Sequence, residues 1–185
     1  MTGNGAGKAF RERDLEVTFD ESWECEKWDD CQSYRAGIGK LQGTDAVDFV
    51  GIRGGTLYFI EVKGLRDYRI EARNRHQTLP DEIALKVRDT IAGVVGASIM
   101  RKDDEFSRKC AEIIGRSRDE QRIRVVAWII EDRVVGRKDR IRAGVRRKAV
   151  VSKLRWLTSK VWDTNPLEDP RIEGVGVRLV GKDEA

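Results

Sequence analysis

Residues 47–63 read VDFVGIRGGTLYFIEVK, and this stretch decides the fold that we expect for the chain. Two runs rich in β-branched and aromatic residues flank a Gly-Gly pair, which is typical of a two-residue β-hairpin turn. With the pair at the turn, Asp48 lies directly opposite Glu61 on the neighbouring strand. Lys63 follows Glu61 by two residues and therefore points to the same face. The pattern predicts three charged groups at one end of an apolar hairpin.

Two carboxylates that face each other across a sheet repel, since the Cβ atoms of facing residues are about 5 Å apart. A divalent cation between them would turn the repulsion into ligation, because hard cations prefer carboxylate oxygens. A lysine beside the ion can orient a water molecule or neutralise a developing negative charge. The alternative reading is an edge hairpin whose charged end is solvated.

The rest of the hairpin is apolar on both faces. We expect the charged face to carry Val50, Ile52, Leu57 and Phe59. The other face takes Val47, Phe49, Tyr58, Ile60 and Val62, and the acid Asp45 is also expected there. A hairpin that is apolar on both faces must be covered on both, which favours an α/β or α+β core.

Asp48, twelve intervening residues and then Glu61-Val62-Lys63 resemble the signature of the PD-(D/E)xK nuclease superfamily. The resemblance is close over residues 44–64, where a valine replaces the usual proline before the aspartate. It implies an α/β restriction-endonuclease-like fold, with a mixed β-sheet core flanked by helices on both faces. It also implies a magnesium cofactor, for which Mn²⁺ can substitute.

The resemblance assigns a role to each residue of the motif. Asp48 and Glu61 would bind the metal, with the Val62 carbonyl as a further ligand, and both acids would be catalytic. Lys63 would position the attacking water and stabilise charge in the transition state.

The superfamily often adds an acid from a helix that precedes the hairpin. We predict a helix over residues 20–35, because polar residues can cap its start and Trp23 and Trp28 supply apolar positions. Among its acids Glu24 is our candidate for the site, followed by Asp30. The alternative is that the acids form a solvated helix face.

The length of 185 residues fits one domain, 1–185, and the glycine-rich residues 1–9 are expected to be flexible. There is no apolar run of membrane length and no signal-peptide pattern, so we expect a soluble cytoplasmic protein without membrane contacts. The three cysteines lack zinc-ligand spacing, which favours reduced thiols. With His76 as the single histidine, histidine-dependent catalysis is disfavoured.

The remaining elements follow from apolar periodicity. Apolar spacing predicts one helix from about Pro80 to Met100 and a second over about 105–117. The apolar run at 124–130 is a buried strand that should return parallel to the hairpin's second strand. Residues 138–162 are predicted to form a basic helix, and residues 171–180 an edge strand.

Positive charge is concentrated late in the chain. Residues 137–160 contain ten Lys/Arg and one Asp, a local net charge of 10 − 1 = +9, whereas residues 1–50 contain six against eleven, or 6 − 11 = −5. Such asymmetry favours a basic surface on one element. The candidate nucleic-acid contacts on the basic helix and on the segment after the hairpin are Arg66, Arg69, Arg142, Arg146, Lys153 and Lys160. A solubilising surface explains these charges equally well.

Together these patterns predict metal-dependent phosphodiester hydrolysis on nucleic acid, with DNA favoured over RNA and a DNA endonuclease as the leading interpretation. One alternative is a catalytically silent, nuclease-like DNA-binding or assembly subunit. Another is a structural charged triad in a protein that acts through its basic helix alone. A homodimer or a larger defence or repair assembly is the expected partner arrangement.

Overall fold

A hairpin of β4 (Phe49–Arg53) and β5 (Thr56–Gly64) occupies the centre of the computed structural model. Both turn glycines have positive φ, +56° and +74°, which is the backbone that a two-residue turn of this kind requires. Phe49 pairs with Ile60, so the register continues to place Asp48 opposite Glu61. The predicted turn and register are confirmed.

The structure describes residues 7–12, 14–64, 71–101, 103–116, 122–130 and 137–180. The other strands in this part of the chain are β1 (Lys8–Glu12), β2 (Leu15–Phe19), β3 (Glu24–Lys27), β6 (Ile123–Ile130), β7 (Val161–Thr164) and β8 (Val175–Leu179). The helices are α1 (Gln32–Ala36), α2 (Glu71–Met100), α3 (Glu105–Arg116) and α4 (Arg137–Leu154), with short 3₁₀ turns at Trp28–Asp30 and Ile38–Lys40. None of these helices is both long and apolar enough to cross a membrane.

The strands form a mixed five-stranded sheet and a separate three-stranded sheet. The larger sheet has the order β3-β4-β5-β6-β7, with β3, β4 and β5 antiparallel and β6 and β7 parallel to β5. The parallel return of β6, predicted from the apolar run, is confirmed. The fold is therefore α/β, with two sheets.

Both faces of the larger sheet are covered, as the apolar hairpin predicted, but not by the same kind of element. Val50, Leu57 and Phe59 face a core built with residues of α2, α3 and α4. Phe49 and Ile60 face a second core formed with β2 and β8, whose sheet has the order β1-β2-β8. Helices on both faces were expected. In the described part of the chain, however, an antiparallel sheet covers one face. Its strand β2 alternates buried and more open residues, so one side of this sheet can pack on the larger sheet.

Residues 20–35 do not form the predicted helix. They form β3, a 3₁₀ turn and the short α1, and Cys25 pairs with Gly51 of β4. Trp23 and Cys25 are buried two residues apart, which is the period of a strand rather than of a helix. The prediction was wrong because the many acidic residues of this segment imitate an exposed helix face.

The other element boundaries differ more modestly. The predicted helix at 80–100 begins earlier, at Glu71, with Pro80 inside it. The predicted helix at 138–162 is α4, which ends earlier, at Leu154. The last residues of the predicted range, Val161 and Trp162, belong to β7. The predicted strand 171–180 is β8, at the edge of the smaller sheet. The stretch expected to be flexible overlaps β1, which begins at Lys8, while residues 1–6 lie outside the described chain.

Candidate active site

Asp48 and Glu61 meet where β5 extends beyond its pairing with β4. Asp48 precedes β4 and is 6% exposed, and Glu61 in β5 is 1% exposed. The Val62 backbone N–H donates a hydrogen bond of 2.6 Å to Asp48 Oδ2, which fixes the aspartate carboxylate across the hairpin. The two acids that the sequence placed together are therefore buried neighbours.

Two ammonium groups share one oxygen of Glu61. Lys63 Nζ lies 3.0 Å from Glu61 Oε1, and Lys86 Nζ, from α2, lies 2.9 Å from the same atom. Lys63 Nζ also lies 3.9 Å from a carboxylate oxygen of Glu82. Glu61 Oε2 is buried and accepts no hydrogen bond from the described residues. One oxygen of this carboxylate is thus left without a donor inside the protein.

α2 is fastened to the segment before β4, and this contact places Lys86. The Val47 N–H donates to Thr90 Oγ1 at 3.0 Å, and the Asp45 N–H donates to Asp89 Oδ2 at 3.3 Å. Lys86 precedes these two residues by one helical turn, so its side chain reaches the same region.

Asp45 and Val47 lie on the helix side of the sheet rather than on the face predicted for them. Asp45 Oδ2 lies 3.4 Å from Lys86 Nζ, and Val47 belongs to the same core as Val50. The prediction extended strand alternation through both residues, but β4 begins only at Phe49, so the two-residue period does not apply to them.

Two further acids reach Asp48 from elements that the sequence did not connect with it. One carboxylate oxygen each from Glu12, Asp29 and Asp48 lies within 4.8 Å of the others. Glu12 ends β1, and Asp29 is in the 3₁₀ turn Trp28–Asp30. Lys27 Nζ lies 3.0 Å from a carboxylate oxygen of Glu12 and 3.7 Å from Asp29 Oδ1. The Asp29 Oδ1 atom is buried and has no hydrogen-bond donor among the described residues.

Burial of these acids shifts their proton affinity. Burial, helped by the Glu61 carboxylate, raises the pKa of Asp48 to about 8. Burial raises the pKa of Asp29 to about 6. Burial also raises the pKa of Glu61, although the charges of Lys86 and Lys63 oppose the shift. Perturbed carboxyl groups of this kind cluster at functional sites.

The residues present fit a hard divalent cation. Carboxylate oxygens are the ligands that Mg²⁺ and Mn²⁺ prefer. Oxygens of Glu12, Asp29 and Asp48 lie within 4.8 Å of one another, and Glu61 is opposite Asp48 in the hairpin. The buried oxygens Glu61 Oε2 and Asp29 Oδ1 lack hydrogen-bond donors among the described residues, as expected of atoms arranged for a cation rather than for a proton donor. Asp48 and Glu61 are the principal candidate ligands, and Glu12 and Asp29 are additional ones.

The metal-free protein should become more stable when Asp48 is replaced by asparagine. The folded pKa of about 8 exceeds the ordinary value of 3.8, so the folded state keeps a proton that the unfolded chain releases between these pH values. Stability contributed by this group is therefore lost as pH rises through that window. Asp48→Asn removes the penalty and retains an oxygen that can accept from the Val62 N–H. We expect a gain of about 1–3 kcal/mol at pH 8 and almost none at pH 4.

Urea denaturation in EDTA at the two pH values measures this gain. Asp81→Asn, at an exposed acid of α2, is the matched control and should show little change at either pH. A loss of stability in Asp48→Asn at pH 8 would contradict the expectation, since it would mean that the carboxylate is better accommodated than an amide.

Glu24, the predicted acid of the missing helix, is not at this site. It lies exposed in β3 and its carboxylate is 2.9 Å from Lys109 Nζ. The second candidate, Asp30, pairs with Lys27 and Arg35 at the surface. The residue of this segment that reaches the site is Asp29. The helical assumption therefore selected Glu24, whereas the strand and 3₁₀ turn of this segment bring Asp29 close to Asp48.

Three of the predicted nucleic-acid contacts have described side chains: Arg146 is buried, whereas Lys153 and Lys160 are exposed. The Arg146 guanidinium is buried and pairs with Asp163, with Nε–Oδ2 and Nη2–Oδ1 distances of 2.5 and 2.7 Å, so we withdraw it as a phosphate contact. Lys153 is exposed and pairs with Asp81 of α2. Lys160 lies between α4 and β7. Val161, the first residue of β7, is level with Phe59 of β5, so Lys160 lies toward the other end of the sheet from Glu61.

The other predicted contacts lie beyond what the structure describes. Arg66 and Arg69 fall between β5 and α2, outside the described residues. Arg142 belongs to α4, and its side chain is likewise outside the description. Their contacts with nucleic acid remain predictions.

Comparison with protein-family models, with curated proteins and with solved structures gives no match for this chain. The interpretation of the site therefore depends on its sequence motif and its own geometry.

Proposed function

We propose that this chain is a metal-dependent nuclease of the PD-(D/E)xK type with a restriction-endonuclease-like core. The observation that carries the proposal is the meeting of Asp48 and Glu61 in one buried site with a lysine ammonium 3.0 Å from Glu61. A purely structural hairpin gains nothing from two facing carboxylates, whereas a cation-binding hairpin requires them.

The order of the elements supports the same proposal. An antiparallel hairpin is followed by the long α2 and then by β6, which pairs in parallel with the strand that carries Glu61. This order is the one implied by the resemblance to the superfamily. The additional three-stranded sheet, which replaces helices on one face, is a departure from that pattern, and it brings Glu12 to the site.

The chemistry divides between the ion and the protein. When bound, Mg²⁺ or Mn²⁺ acts as a Lewis acid on the phosphate and lowers the pKa of a bound water. Asp48 and Glu61 would hold the ion, with the Val62 carbonyl as a further ligand. The Lys63 ammonium would orient the attacking water and stabilise the negative charge that develops on the phosphate.

The proposed substrate is nucleic acid, with DNA favoured over RNA. The exposed surface of α4 and the residues after it carry Arg147, Lys148, Lys153 and Arg155, and the chain has a net charge of +4. Cations spread along a helix can neutralise successive phosphates, and binding through them should weaken as salt rises.

Glu61→Gln is expected to abolish metal-dependent cleavage and to weaken Mn²⁺ binding by at least tenfold. Loss of even an outer partner of a metal ligand costs about 10–100-fold in affinity, so loss of a direct ligand should cost at least as much. Calorimetry with MnCl₂ and cleavage of supercoiled plasmid in Mg²⁺, Mn²⁺ and EDTA measure the two effects. Glu24→Gln is the matched control, because Glu24 also pairs with a lysine at 2.9 Å but lies away from the site.

Two results would redirect the proposal. Salt-sensitive DNA binding without metal dependence or cleavage would favour the silent binding subunit. Plasmid cleavage that is unchanged in Glu61→Gln would show that the activity arises elsewhere.

A further inference from the structure

Lys86 lies between a buried acid and an acid at the rim of the site. Its Nζ is 2.9 Å from Glu61 Oε1 and 3.4 Å from Asp45 Oδ2. The Lys86 side chain is 11% exposed, whereas that of Asp45 is 68% exposed. A single ammonium therefore has one partner inside the protein and one at the surface.

Glu61, the buried partner, cannot pair with Lys86 and bind a divalent cation equally well. Two unit charges 4 Å apart interact by about 4 kcal/mol at an effective dielectric constant near 20, and a doubly charged ion doubles this repulsion. Lys63 already contacts the same oxygen, so Glu61 carries two ammonium groups. Binding of a divalent cation by Glu61 therefore favours departure of one of them.

Of the two lysines, Lys86 has the better alternative partner. Its distance to Asp45 is 3.4 Å, whereas Lys63 lies 3.9 Å from Glu82. The Asp45 carboxylate is also oriented, because the Ala46 N–H donates to its Oδ1 at 2.9 Å while Oδ2 is directed at Lys86. Asp89 Oδ2 accepts a hydrogen bond from the Asp45 N–H, which holds Asp45 against α2, the helix that carries Lys86.

We propose that Lys86 is a positioning residue that exchanges partners: it holds Glu61 in the metal-free protein and gives it up for Asp45 when Glu61 binds a divalent cation. This inference rests on the proposed metal site. In the metal-free state Lys86 keeps the buried Glu61 paired, and in the loaded state its charge lies nearer the surface, where a phosphate approaches.

A double-mutant cycle tests the exchange without requiring catalysis. Mn²⁺ affinity is measured by calorimetry for wild type, Asp45→Asn, Lys86→Met and the double variant. With Lys86 present, Asp45→Asn should weaken Mn²⁺ binding by about fivefold or more, because Lys86 loses its second partner and competes for Glu61. With methionine at position 86, the same change should alter Mn²⁺ affinity by less than about twofold.

An equal effect of Asp45→Asn in both backgrounds would overturn the proposal, since Asp45 would then act only as a distant negative charge. Glu82→Gln is the matched control, because Glu82 approaches Lys63 and should show no coupling to Lys86. If Lys86→Met does not fold, Lys86→Gln supplies the second test: it also removes the charge and should likewise reduce the Asp45→Asn effect to less than about twofold. Failure of wild type to bind Mn²⁺ would reject the metal site itself and this inference with it, whereas binding without coupling would reject this inference alone.

Discussion

Lys63→Met protein is expected to cleave DNA about 10³-fold more slowly than wild type while it still binds Mn²⁺. A positioned group that transfers a proton or stabilises transition-state charge contributes about 10²–10⁴ in rate. Methionine retains an apolar side chain of similar length and removes only the ammonium. Because Lys63 contributes positive charge beside Glu61, its loss should leave Mn²⁺ affinity unchanged or increase it. Single-turnover cleavage of a labelled duplex and calorimetry measure the two quantities.

Lys109→Met provides the matched control for this substitution. Lys109 is a partly exposed lysine of α3 that also pairs with a glutamate, Glu24, at 2.9 Å, so the same chemical change is made far from the proposed site. Its cleavage rate should stay within about twofold of wild type. A Lys63→Met protein that cleaves at the wild-type rate would exclude this lysine from the chemistry. Parallel loss of cleavage and Mn²⁺ binding would assign it a structural role at Glu61 instead.

The part of the site carried by the hairpin was predictable because its information is local. The Gly-Gly turn fixes the register over 17 residues, and register alone brings Asp48 opposite Glu61 and places Lys63 on the same face. The covering of both faces followed from the apolar residues on both faces. Nothing in these steps depended on a contact between distant segments.

The rest of the site depends on pairings that span the chain. Glu12 reaches Asp48 only because β1 pairs with β2, and β2 pairs with β8 at the other end of the sequence. The alternation of Leu15, Val17 and Phe19 indicates a strand, but it does not specify which strands pair with it. Asp29 was hidden for another reason: the acid-rich segment satisfied a helical pattern, while pairing of β3 with β4 imposed a strand on its first half.

Lys86 illustrates an intermediate case. Apolar spacing predicted the helix that carries it, from about Pro80 to Met100. Its contact with Glu61 depends on how α2 crosses the sheet, which the hydrogen bonds from Val47 and Asp45 to Thr90 and Asp89 determine. Helix periodicity determines which residues face the sheet, but not which strand residue each of them lies beside.

Arg146→Met is expected to lower the free energy of unfolding by about 3–5 kcal/mol, because it leaves Asp163 buried without its cation. The two side chains are 5% and 3% exposed and form a bidentate pair between α4 and β7. A solvent-exposed arginine that contacted phosphate would contribute far less to stability, since exposed ion pairs are worth about 0–1 kcal/mol. Urea denaturation of wild type and variant measures the difference.

Lys153→Met serves as the control, since Lys153 is an exposed basic residue of the same helix paired with Asp81. Its stability should change by less than about 1 kcal/mol, while its DNA affinity should fall and become less dependent on salt. The double variant Arg146→Met, Asp163→Leu should recover much of the lost stability, because removal of both charges leaves no unpaired carboxylate in the core. If Arg146→Met instead kept wild-type stability and lost DNA affinity, its sequence-based assignment as a phosphate contact would be restored. The comparison thus separates the charges of α4 that hold the fold from those that remain available to a nucleic acid.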